Sequence, residues 1–500
     1  MKEYLLGIDI GSSGMKLVIA RCDGVTVASA TAGYATHYPR QGWAEQNPND
    51  WWLKICQQIR PLLAAAGIKG GDIGAIGVDG YSWAAVALGK TGRVLCNTPL
   101  WYDTRAVHEC DEIREKIGED NIFNTSGNPL HPNYALPKVL WYKNNLPKVR
   151  TQIHKVLQTN GFIVYRLTGE LTQDISQAYG YHFYDIRQGV WQTSMIEQLG
   201  LDPRWFPDIS PCSQVVGTVT AEAAQETGLH PGTPVVAGGL DAACGTLGAG
   251  VLKPGQTQEQ GGQAGGISIC TDECAPVSRM ILSNHVVPGQ WLLQGGTVGG
   301  GGIIRWLSDI LKNNLTNGDN TEYFAQMDQW ASQVPAGAEG LIFLPYLSGE
   351  RSPIWDENAK GVFFGLDFSK SRGHIVRSAM EGAAYAVKHN VEAGGTAASA
   401  IEELRSVGGA SKSSVWMQIK ADIIGKPIRA AGDDLTTAQG ALILAGVGTG
   451  ILPGFEKACE RFVHLGPIYK PDESKQAEYN SGYDRYLRLY TQLKELMKGC

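Results

Sequence analysis

Asp9 ends an apolar run and is followed by Ile10-Gly11-Ser12-Ser13-Gly14-Met15-Lys16. A turn of small residues between two strands leaves backbone N–H groups free to surround an anion. A carboxylate beside such a nest can hold Mg²⁺ through water next to bound phosphates. The same residues also make an ordinary tight hairpin with a solvated aspartate. Asp241 closes a second apolar run, Val235-Val236-Ala237-Gly238-Gly239-Leu240. A carboxylate there can accept the proton of a substrate hydroxyl while its oxygen attacks a γ-phosphate. It can equally cap the helix that follows.

Two further turns, Gly262-Gln263-Ala264-Gly265 and Gly408-Gly409-Ala410-Ser411, also follow strand-like runs. Any one glycine cluster means only a turn; three fit one nucleotide held from several sides. The run Gly299-Gly300-Gly301-Gly302 opens a helical stretch reaching Arg305 and Trp306, a helix start able to face phosphate. Neither GxxxxGK with Ser or Thr nor a strand-linked GxGxxG is present, so a P-loop or Rossmann site is not indicated. Tyr81-Ser82-Trp83 and Trp101-Tyr102-Asp103-Thr104-Arg105 supply aromatic faces beside polar groups. Such rings pack on sugar C–H faces, or simply fill the core. No histidine spacing suits zinc, and no GxSxG elbow offers a hydrolase nucleophile.

The elements that must hold these residues follow from pattern. Tyr4 to Ile10, Met15 to Arg21 and Val25 to Ala32 read as an antiparallel meander with glycine-rich turns. Asn47 and Pro48 start a helix whose Trp51, Ile55, Ile59, Leu62 and Leu63 form one apolar stripe, and Gly67 ends it. A strand over 72–80 follows, giving a mixed α/β layer. A second strand–turn–strand over 258–270 echoes the first, so two similar halves are expected to meet near residue 245 through a hinge. Helices are expected around 303–313, 371–393, 411–424, 437–446 and 474–498.

At 500 residues the chain exceeds what one core usually serves, so two domains are expected. A net charge of −6 gives no footprint for nucleic acid. The 10 cysteines form no CxxC pair and read as reduced thiols, and no signal-like or spanning apolar stretch appears. A cytoplasmic protein without membrane or nucleic-acid partners is the expectation.

Together these segments resemble the FGGY family of carbohydrate kinases along nearly the whole chain. GIDIGSSGMK is similar to the family's first phosphate loop, and GWAEQNPNDWW to a stretch common in xylulokinases. WYDTR fits WxDxR, GGLDAACG fits GGxDxxxG, and LPYLSGERSP is similar to a xylulokinase stretch. GVFFGLDFSKSRGHIVRSAME, at 361–381, satisfies the second family signature.

The resemblance implies two ribonuclease-H-like, actin-like ATPase domains, here 1–244 and 245–500, with ATP and sugar in the cleft between them. It implies ATP and Mg²⁺ as cofactors and a small sugar or polyol as substrate, a pentulose such as xylulose first; a homodimer is compatible with it. Asp241 then becomes the base and a metal-facing group, and Asp9 helps hold Mg²⁺. Gly11, Ser12, Ser13 and Lys16 fall on the first phosphate loop and Gly262 and Gln263 on the second. Gly301 and Arg305 fall at the glycine-run helix, and Gly409 and Ser413 at the adenosine end. Ser82, Trp83, Asn133, Asp241 and Ala242 fall on substrate positions. The chain departs from the family where xylulokinases carry Gln-Met-His and it has Tyr81-Ser82-Trp83. It also has GQAG for GTSG, Ala242 for Asn or Gln, and Ala135 where the first signature expects Pro, Ser or Thr. The large Trp83 with the small Ala242 points to a reshaped pocket. Another ketose or polyol, or a nucleotide-binding regulator without turnover, are the alternatives.

Overall fold

The computed structural model describes residues 3–312, 320–432 and 435–499. Strands β1 (Tyr4–Ile10), β2 (Gly14–Arg21) and β3 (Thr26–Gly33) form the expected meander. Helix α1 (Pro48–Ala65) starts where the Asn47 side chain accepts from the Asn49 N–H at 3.1 Å. It lays Trp51, Ile55, Ile59, Leu62 and Leu63 on the sheet, and the chain returns as β4 (Ile73–Gly80), parallel to β1. Strands β5 (Val215–Thr218), β6 (Pro234–Val236) and β7 (Gly239–Leu240) complete the sheet before α2 (Asp241–Gly248). The strand order is β5-β6-β4-β1-β2-β3, with β7 also beside β4. Between β4 and β5 a largely helical excursion carries Trp83, Trp101, Tyr134 and Tyr179.

The second half repeats the plan with β8 (Gln256–Gly261), β9 (Gly265–Thr271), β10 (Ile281–Asn284), β11 (Trp291–Thr297) and α3 (Gly301–Leu311). Then come α4 (Arg372–Ala393), β12 (Glu403–Val407), α5 (Ser414–Ile424), β13 (Ile428–Ala431) and α6 (Thr436–Gly448), ending in β14 (Leu465–Tyr469) and α7 (Gln476–Met497). Its strand order is β10-β11-β9-β8-β12-β13-β14. In each sheet an antiparallel pair is followed by a parallel strand beside its first member: β4 beside β1, β12 beside β8. The echo between residues 9 and 259 is therefore topological: both turns occupy the same place in equivalent hairpins. Of the expected helix 303–313, residue 313 lies outside the described residues, and the helix seen begins two residues earlier.

Helix α6 belongs to the second half in sequence but packs on the first sheet. Gly7 and Gly77 let its backbone lie directly on β1 and β4, because a Cβ at either would overlap the carbonyl oxygens of Ala438 and Ala441. Leu442, Ile443 and Leu444 share one core with Leu5, Val18 and Ala75. Helix α7 buries Tyr479, Tyr483 and Tyr486 with Tyr385 of α4. Among the described residues no helix is long and apolar enough to cross a membrane.

Candidate active site

The carboxyl ends of β1, β4 and β7 converge, and three aspartates mark them. Asp9 and Asp79 are register partners across the parallel β1–β4 pair, and Gly239, two residues before Asp241, pairs with Asp79 from β7. Asp9 is 3.9 Å from Lys16 Nζ, its register partner on β2. Burial raises the Asp9 carboxyl above its usual range, opposed by Lys16. Asp79 is fully buried, and among the described residues no N–H or O–H reaches either of its oxygens. Burial and the neighbouring Asp9 and Asp241 charges push its pKa well up. Asp241 is not the cap of α2 but its first residue, with Leu240 at the cap position. Its carboxylate accepts from the Ala242 N–H at 2.6 Å, and burial plus the Asp9 charge raise it to about 7.

Between the halves lies a cavity of about 280 Å³ whose wall includes Ser12, Ser82, Trp83, Asp241 and Ala242. Trp83 adopts a left-handed backbone (φ 63°) and stacks on Tyr134, with ring centroids 4.2 Å apart. Its carbonyl accepts from Lys138 Nζ at 3.0 Å, and the same nitrogen donates to Leu100 O at 2.7 Å. Asn133 stands behind this wall rather than on it. Its side-chain oxygen is buried and meets no donor among the described residues, and its neighbour Tyr134 backs Trp83.

The three glycine turns are brought together in part. In the first, the Gly11 N–H donates to Gly14 O at 3.0 Å, and Gln46 donates to Ser12 O at 2.7 Å. Ser13 is exposed, while Gly11 and Ser12 are half-buried. The second turn joins β8 to β9, and Gly408 of the third abuts the peptide between Gly261, the last residue of β8, and Gly262, the first of the turn. The glycine-run helix differs from expectation in one respect. The Gly301 and Gly302 N–H groups donate to Gly262 O at 2.6 Å and Gln263 O at 2.9 Å, so here they hold the second turn instead of standing free for an anion. Arg305 is exposed on α3. Gly409 has open space around it, whereas Ser413 caps α5, accepting from the Trp416 N–H at 3.0 Å and donating to Asp328 at 2.8 Å. None of Arg305, Gly409 and Ser413 lies on the cavity wall.

Two sheets of one topology, with Asp241 on the wall of the cavity between them and Asp9 and Asp79 buried behind it, form the arrangement of an actin-like kinase, and comparison decides the family. The model of the FGGY family of carbohydrate kinases, N-terminal domain, matches residues 4–248, and that of its C-terminal domain matches residues 271–449. The chain belongs to the FGGY family of carbohydrate kinases. This FGGY kinase is 29% identical to the xylulose kinase of Bacillus subtilis (strain 168) over 496 residues, covering 99% of this chain and 98% of that one. It is 25% identical to a gluconokinase of Bacillus licheniformis over 514 residues, covering 100% and 99%. The crystal structure of xylulose kinase from Rhodospirillum rubrum superposes with a TM-score of 0.90 at 30% identity, covering 99% and 100%.

Sequence reasoning missed two groups in this FGGY kinase's site. Asp79 ends a strand just before Gly80 as Asp9 ends one just before Ile10-Gly11, and that shared position at a strand's carboxyl end was the available signal. Arg351, read only as part of LPYLSGERSP, lines the cavity with Gln260 and Gln294; nothing local in the sequence announces that.

Proposed function

We propose that this kinase transfers the γ-phosphoryl group of MgATP to a hydroxyl of a small open-chain sugar, a pentulose such as xylulose being the first acceptor to try. The observation that carries the reading is Asp241. It opens α2 at the wall of the cleft cavity, with its carboxyl raised to about 7, where a base works well at neutral pH. The β–γ bridging oxygen to phosphorus bond breaks, the acceptor oxygen bonds to that phosphorus, and the hydroxyl proton passes to Asp241. Trp83, Ser82 and Ala242 shape the acceptor side, with Asn133 behind. Gly11, Ser12, Ser13 and Lys16 on one side and Gly262 and Gln263 on the other hold the phosphates, with Gly301 and Arg305 beside them and Gly409 and Ser413 at the adenosine end.

The residues fit a divalent cation. Asp79 has two orphaned oxygens beside Asp9, with Asp241 near, yet no three described ligating side chains could hold a metal unaided. That suits Mg²⁺, which commonly binds one or two carboxylates together with substrate phosphates; bound there it would neutralise charge on the transferring group. The same reading divides the chain into residues 1–244 and 245–500, with α2 spanning the junction as a hinge.

Likeness to xylulose kinases favours a pentulose, while Trp83 and Ala242 in the cavity wall favour a different ketose or polyol. A nucleotide-binding regulator is motivated by the altered GQAG turn and by Ala242, and the tie of that turn to the Gly301 and Gly302 amides supports it. ADP release from MgATP across ketoses, polyols and sugar acids, alongside Asp241→Asn, tests all three. Stimulation by one sugar, lost in the variant, is expected; ATP binding without stimulated turnover across the panel favours the regulator.

A further inference from the structure

Behind the second turn lies an ion pair that the proposed chemistry does not use. Lys420 of α5 places Nζ 2.6 Å from Glu259 Oε1 on β8, and the other carboxylate oxygen accepts from the Ser406 hydroxyl of β12. Glu259 is 1%, Lys420 2% and Ser406 0% exposed, so solvent does not screen the three. The Lys420 ammonium also lies 4.9 Å from the centre of the Trp416 ring. Side chains alternate along a strand. Gln260 lines the cavity on which Asp241 opens, and Glu259 accordingly points to the other face of β8, towards α5. Lys420 is not part of the cavity wall, so its charge acts on the turns and not on a bound phosphate.

Glu259 and Ser406 are register partners in the parallel β8–β12 ladder, and Gln260 with Val407 is its last pair. Beyond that pair the two chains part. β8 runs into the second turn, β12 runs into the third, and α5 begins at the Ser413 cap just after it. The join is close. A Cβ on Gly408 would come within 3.0 Å of the Gly261–Gly262 peptide, and one on Gly261 within 2.6 Å of Ala410 Cβ and 3.2 Å of Lys420 Nζ. Ala264 and Gly265 of the second turn reach the cavity wall, so the spacing set here is felt in the site. A buried ion pair gains little over an apolar pair of equal volume, because desolvation offsets its attraction. What an apolar pair lacks is direction: a carboxylate holds both its donors at hydrogen-bond length. We infer that Lys420 is a positioning residue for the nucleotide. Through Glu259 and Ser406 it keeps the second and third turns at one separation, so that the phosphates and the adenosine end are gripped together. The inference rests on the kinase reading of those turns and adds the part that sets their spacing.

The test uses the full chain and MgADP binding followed by calorimetry, a readout that needs no acceptor. Lys420→Met alone strands a buried carboxylate and is strongly destabilising. The decisive variant therefore combines Glu259→Leu with Lys420→Met, in which both charges go. Its thermal midpoint should return close to that of the wild type, while MgADP binding weakens by about tenfold to a hundredfold, the scale of a misplacement of about 1 Å. The KM for ATP should rise in step, with the acceptor KM held within about twofold. Ser406→Ala leaves the ion pair whole and cuts the tie to β12. It should weaken MgADP by about twofold to tenfold, and Ser406→Thr should recover the loss. A double variant that regains both stability and MgADP affinity overturns the inference, since the pair then serves packing alone. So does an equal rise in the nucleotide and acceptor KM values. Wild-type protein that binds no MgADP overturns the kinase reading itself, and the inference with it.

Discussion

Asp9 and Asp79 stand side by side on parallel strands, fully in register, with the Asp79 carboxyl meeting no donor from the rest of the described protein. Two carboxyl groups in contact cannot both ionise cheaply, so the pair keeps a proton, and Asp79, the more strongly raised, is the one that carries it. Asp79→Asn replaces that shared proton by an amide donor. It should raise stability by about 1–2 kcal/mol at pH 8 while weakening Mn²⁺ binding followed by electron paramagnetic resonance. Unchanged Mn²⁺ affinity would separate Asp79 from the cation.

Asp241→Asn should lower kcat by about 10²–10⁴ with ATP affinity, measured by calorimetry, retained. The raised carboxyl must be ionised to act, so activity is lost as pH falls through its pKa, about 7 in the nucleotide-free protein. Bound Mg²⁺ pulls the value down, which places the rate midpoint at or below that pH. A rate profile flat from pH 8 to 4 would remove Asp241 from the proton transfer.

Much of this was legible in the sequence because glycine turns and strand-ending carboxylates have few other reasons to coincide. Asp9 and Asp241, and the repeated hairpin that carries the second turn, are where the pattern puts them. Asp79 was hidden because it closes a run that already reads as a strand, and only register reveals its neighbour. Ser413 shows the reverse: its cap to Trp416 is a local event that family position alone does not disclose. The excursion from 81 to 214 resisted reading because its aromatic residues serve both wall and core, Trp83 facing the cavity and Tyr134 backing it.

Lys138 fixes the wall by holding the carbonyls of Trp83 and Leu100, and burial lowers its pKa from 10.5 to about 7. Lys138→Met leaves both carbonyls without that donor and should cost about 1–3 kcal/mol, with the acceptor KM rising and the ATP KM unchanged. With the folded pKa depressed, the unfolded chain binds more protons between about pH 7 and 10.5, so Lys138's contribution to stability rises with pH across that window. Urea denaturation should therefore show a larger wild-type-minus-variant difference at pH 9 than at pH 7; the opposite order would mean the amine is buried charged.

Gly440 of α6 touches α2 so closely that a Cβ would overlap Cys244 O. An alanine inside a helix ordinarily helps. Here Gly440→Ala should destabilise by about 1–3 kcal/mol and shift the domain angle seen by small-angle scattering. A variant as stable as the parent would show the two helices able to separate freely.

The seat of α6 on β1 and β4 also governs the order of events at the ribosome. Leu5, Val18 and Ala75 are translated early, but the residues that cover them, Leu442 to Leu444, emerge only after nearly nine-tenths of the 500-residue chain. Until then the nascent chain carries the sheet bearing Asp9 with one greasy side bare. Closure of that sheet therefore waits for the end of synthesis, and a chain stopped before residue 436 lacks the helix that covers it.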